Sequence, residues 1–208
     1  MSVAFNAIEE VATLFKDSKA LLKQTTLERI SKAIAESKYH DQEQLYVDES
    51  TQVEHTFEVV YPNTHAYSAI SMTYATAEYW LEHLTRAVQQ ERSLAANSKD
   101  FSGDAVHRVV KFAKVFGLQP VPEALVSHLT ETEQLRHCIM HATGRVSDSR
   151  DRKNLENMVS RNIGITIDET GRLQFTIDAA IAIVDKTGKG VADLFKLWDF
   201  GPSLPSKP

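Results

Sequence analysis

The run THAYSAISMTYATAEYWLEHLTRAVQQERSLAA, residues 64–96, decides the fold class. Ile70, Tyr74, Ala77, Leu81 and Leu84 recur at helical spacing and form one apolar stripe, with polar and small residues on the other faces. A stripe this long needs partners along its whole length, so the spacing predicts a helix at the centre of a bundle.

Working outward, the polar, glycine-containing stretch NSKDFSG leads to DAVHRVVKFAKVFG. There Asp104 is placed to cap the start of a helix, and Gly117 to take the left-handed position past its end. PVPEALVSHL reads as a short helical turn. Thr130 with Glu133 then makes a capping box that would open a new helix over TETEQLRHCIMHA. After a charged stretch the period changes to two. GITIDETGRLQFTI alternates Ile163, Ile165, Ile167 and then Leu173, Phe175, Ile177 around Asp168 to Gly171, the pattern of a β-hairpin whose isoleucine side needs a surface to pack on. Asp178 is the expected cap of a closing helix weakened by Gly188 and Gly190.

Upstream, residues 3–23 show helical spacing, and Thr25 with Glu28 forms a capping box ahead of a second short helix. From 39 to 63 the pattern dissolves into a loop, with VEHTFEVVYPN as a short strand ending at Pro62. The expected organisation is an N-terminal extension (1–63), a helical bundle (64–200) and a loose proline-rich tail (201–208). The fold class is all-α in the main, with a small hairpin near the C-terminus.

Composition narrows the function. With 42% hydrophobic and 25% charged residues, the 208-residue chain matches an ordinary globular protein. A net charge of -5 argues against a general polyanion-binding surface, so any nucleic-acid contact must be local. The single cysteine excludes an intrachain disulfide and a multi-cysteine zinc module. Neither an export signal nor a membrane span is legible, and a cytoplasmic location is expected.

Chemistry concentrates in LRHCIMHATGR, residues 135–145. His137 and His141, four apart, share a helix face, and Arg136 stands one residue off it. An imidazole trades protons near neutral pH, and a guanidinium steadies charge on phosphoryl oxygens; together they suit transfer at an RNA phosphodiester. Between residues 136 and 153 five cations (Arg136, Arg145, Arg150, Arg152 and Lys153) face two anions (Asp148 and Asp151), a local phosphate footprint in an acidic chain. A plainer reading stands beside this one: Arg and His at a helix C-terminus also cap carbonyls and complement the dipole. Zinc on His137 and His141 lacks a third ligand, and Cys138 stands where a metalloprotease helix carries glutamate, so no metal or cofactor is expected.

Arg136, a polar His137, then His141 and Gly144 resemble the R-x-x-x-x-H signature of the HEPN superfamily, and the order of helices around the motif from about 64 to 198 resembles it too. The resemblance implies a compact helical bundle, usually a homodimer with the two motifs meeting at the interface. It also implies a metal-independent RNA endonuclease that leaves a 2′,3′-cyclic phosphate, in a toxin–antitoxin or anti-phage setting with an antitoxin or other protein partner. His141 would be the general acid/base, Arg136 the phosphate and transition-state stabiliser, and His137 the polar partner orienting either. His137 departs from the commoner asparagine, and silent relatives that bind nucleotides or proteins supply the alternative, a non-catalytic binding module.

Overall fold

The computed structural model describes residues 55–199 and, ahead of them, ten helical positions between 13 and 32. The remaining N-terminal residues and the 201–208 tail lie outside the described residues. Thr25 does not cap a helix: it is itself helical, and its hydroxyl donates to the Leu21 carbonyl at 2.8 Å.

The central helix, α1 (Tyr61–Glu91), is entered through a π-helical turn at Thr56–Val60. The strand expected there does not form. Pro62 has no N–H to give a sheet, but its fixed φ fits the helical entry to α1. The anticipated stripe of Ile70, Tyr74, Ala77, Leu81 and Leu84 is fully buried, and α1 packs against three other helices.

Helix α2 (Ala105–Val115) starts as its sequence dictates, with the Asp104 carboxylate accepting from the His107 N–H at 2.9 Å, and ends into Gly117 at φ 64°. Helix α3 (Glu123–Ala142) runs unbroken for 20 residues, so the new start expected at Thr130 is absent. Leu125, Leu129, Leu135 and Ile139 form one buried stripe across that point, and packing of the stripe overrides a local capping signal. Thr132 follows the helix too, its hydroxyl bonding back to the His128 carbonyl at 2.8 Å.

Helix α4 (Arg152–Arg161) leads to strands β1 (Ile165–Ile167) and β2 (Leu173–Phe175), paired antiparallel with Ile165 opposite Phe175 and Ile167 opposite Leu173. The hairpin is where the alternation put it, but its isoleucine side is only partly inside. Ile165 is buried, whereas Ile163 is fully exposed and Ile167 is 36% exposed. The strand begins only after Gly164, whose φ of 91° redirects the chain, and Leu173 and Phe175 supply the buried face instead. Ile177 belongs to the closing helix, α5 (Ile177–Leu197), capped by Thr176 rather than Asp178; the Thr176 hydroxyl accepts from the Ala179 N–H. Gly190 permits close packing of α5 on α3, because a Cβ there would press into Leu125.

Two apolar clusters fill the interior. One joins the start of α1 to the end of α3, α4, the hairpin and the start of α5. The other joins the rest of α1, α3 and α5 to α2, with Trp198 donating from Nε1 to the Gln119 carbonyl at 2.9 Å. The three long helices run through both. No helix among the described residues is long and apolar enough to cross a membrane.

Candidate active site

Helix α3 ends because Thr143 adopts left-handed geometry (φ 50°, ψ 34°), an uncommon state for a β-branched residue, and Gly144 follows at φ 79°. The Gly144 N–H closes the helix onto the Cys138 carbonyl at 3.0 Å. The chain then joins the hairpin: Leu173 N–H donates to the Gly144 carbonyl and Val146 N–H to the Gly171 carbonyl, both at 2.9 Å. The hairpin therefore acts as a buttress that holds the end of α3.

On the last two turns of α3 the rings of His137 and His141 pack with centroids 4.7 Å apart, as their spacing of four requires. His141 is exposed and His137 is half-buried. Burial, then the positive charge of Arg150 and the neighbouring His141, push the His137 imidazole below its ordinary value; Asp151 opposes them only in part. His137 is thus held toward its neutral, proton-accepting form. Its Nδ1 is shielded from solvent and bonds to nothing, with the Asp151 carboxylate 3.9 Å away. That separation is too long for a hydrogen bond, leaving a polar atom whose pairing awaits a small movement or a ligand.

Arg136 faces another way. Its guanidinium lies over the Tyr74 ring, 5.6 Å from the centroid, in cation–π range. Five residues along a helix correspond to a rotation of about 140°, so Arg136 turns toward α1 while His141 turns toward solvent. Burial and the charges of Glu133 and Glu78 keep the Tyr74 hydroxyl protonated. The Glu133 carboxyl is itself raised, by burial and by Asp104. Within one chain, Arg150 rather than Arg136 is the principal cation acting on His137.

The remaining basic residues are spread around this end. Arg150 pairs with Asp151 at 3.3 Å, Arg145 with Asp148 at 3.8 Å and Arg152 with Glu156 at 2.7 Å, while Lys153 is exposed on the first turn of α4. Three of these cations thus have carboxylate neighbours close in sequence, and of the four only Arg150 acts on His137. Cys138 is fully buried and its thiol is pushed up to about 11, chiefly by burial, which makes it a packing residue and no nucleophile. Among the described residues no group of three His, Cys, Asp or Glu could hold a metal ion. Sequence reasoning passed over Asp151 and Tyr74: the one counted only as a charge, the other only as part of an apolar stripe.

Fold and site together define a mainly helical protein with a hairpin-buttressed histidine pair in the field of Arg150. No protein family, curated protein or solved structure matches the chain, so the site is read from its own chemistry.

Proposed function

We propose that the chain is an RNA endonuclease of the HEPN type, cleaving without a metal ion and leaving a 2′,3′-cyclic phosphate. The observation that carries this reading is the pair of His137 and His141 rings, 4.7 Å apart at an exposed helix end, with Arg150 acting on His137. In the reaction the 2′-oxygen attacks phosphorus as its proton passes to an imidazole, and the P–O5′ bond breaks as a proton is returned to the leaving oxygen. His141 moves these protons, His137 orients it, and Arg136, brought in from a second copy across a two-fold pairing, steadies the charge on the phosphoryl oxygens. Arg145, Arg150, Arg152 and Lys153 hold the flanking phosphates. Such an activity suits a cytoplasmic toxin or anti-phage protein held in check by an antitoxin or other partner.

The alternative is a non-catalytic binding module, and the packing of Arg136 on Tyr74, away from His141, favours it. Cleavage of total RNA in EDTA, read together with melting temperature, decides between them. His141→Ala should abolish cleavage without changing stability by more than about 0.5 kcal/mol, as for other exposed sites. Arg136→Ala should cut the rate by roughly two to three powers of ten and lower stability by about 0.5–1 kcal/mol through the lost ring contact. Wild-type cleavage by His141→Ala removes the catalytic assignment; intact RNA at high enzyme excess leaves the binding module.

A further inference from the structure

Helices α3 and α4 run antiparallel, since Asp151 lies against His137 at one end and Arg161 against Glu131 at the other. Between them is an open groove of about 600 Å³. Its walls are polar but uncharged for the most part, with Gln134 from α3 and Asn154 and Asn157 from α4 among them. None of these three amides forms a side-chain hydrogen bond with another described residue, so each turns a donor and an acceptor to the solvent of the groove, where a ligand can replace water. The two charged residues of the groove cancel: Arg161 donates to Glu131 at 3.0 Å and also to the Asn157 carbonyl at 3.1 Å. Those two bonds fix the guanidinium plane.

A groove without net charge does not attract phosphate, and unpaired amides favour a partner with donor and acceptor side by side. The edge of a nucleobase is such a partner, and a held guanidinium is a stacking surface for its face. Gln134 lies three residues before His137, hence on the same face of α3 and about 4.5 Å along the axis from it. A base seated there would be that of a nucleotide next to the one being cleaved. We infer that the α3–α4 groove is a base-reading subsite, in which Gln134 and Asn154 hydrogen-bond the edge of an unstacked base next to the phosphate held at the histidine pair. The inference rests on the proposed nuclease reading for what it adjoins, but its own observable is base-dependent binding.

The test uses full-length His141→Ala protein and short single-stranded RNAs, each of one base type, with matching RNAs carrying an abasic nucleotide. Fluorescence anisotropy should show binding to the best base stronger than to the abasic RNA by about tenfold, as for one bidentate amide contact. Adding Gln134→Ala and Asn154→Ala should collapse that ratio toward one while the melting temperature holds. RNA that binds equally with and without bases, or a preference that survives the double substitution, overturns the subsite. Loss of wild-type cleavage with base preference intact would instead remove the nuclease reading and leave the groove as a nucleobase site. Failure to bind RNA at all removes both.

Discussion

At Gly144 the chain passes so close to α1 that a Cβ would overlap the Tyr67 hydroxyl, which donates to the Leu173 carbonyl at 2.8 Å. The glycine of the motif thus has a steric reason, added to its φ of 79°. Gly144→Ala should cost about 2–4 kcal/mol from left-handed strain plus overpacking, measured by urea unfolding; a change within about 0.5 kcal/mol, the range of an ordinary surface site, would show that the turn relaxes freely. His128 is a second residue whose setting determines its behaviour. It is buried against Thr187, 2.9 Å from Nε2 to Oγ1, and burial, aided by Lys186, lowers its pKa from 6.5 to about 4. Between those values the unfolded chain binds the proton and the folded chain does not, so stability is full above 6.5 and falls as pH drops toward 4. The expected loss is about 2 kcal/mol at roughly pH 5. His128→Gln should flatten that part of the profile of melting temperature against pH; an unchanged slope would assign it to other groups.

Among the elements, the hairpin shows how a short structure gains stability from its turn. The Asp168 carboxylate accepts from the Thr170 N–H at 2.8 Å, the Arg172 N–H at 2.9 Å and the Gln174 amide at 2.8 Å. Burial acts to raise its pKa, but these bonds outweigh it and hold the group at about 2. Asp168→Ala should therefore cost about 2 kcal/mol, as for hydrogen bonds to a charged acceptor. Because the hairpin grips Gly144 and Val146, the amides of Val146 and Leu173 should also exchange faster with deuterium. Protection unchanged at both would show that the buttress stands without its turn.

For the whole molecule, the relevant fact is that Arg136 and His141 diverge within one chain while exposed Met140 lies beside them. A two-fold pairing through this end would bring a second set of motif residues across a shared cleft. Light scattering should accordingly return about twice 23.3 kDa, and Met140→Glu should shift the chain to monomer with loss of RNA cleavage. A wild-type monomer at micromolar concentration would remove the composite site.

The apolar periods of α1, α2 and α5, the Asp104 cap, the glycine past α2 and the place of the hairpin are local patterns, because one helix turn or one strand alternation contains all the residues that produce them. The residue types of the site were legible in the same way: His137 and His141 share a face by spacing alone. What local pattern left open was decided by contacts distant in sequence. The leucine stripe carried α3 straight through the capping signal at Thr130. Pairing in the core made Leu173 and Phe175, and not Ile163, the buried side of the hairpin. The direction of Arg136, the approach of Asp151 to His137 and the amide-lined groove each depend on which helix lies alongside α3. No window of sequence contains that neighbour, so only the tertiary structure could determine them.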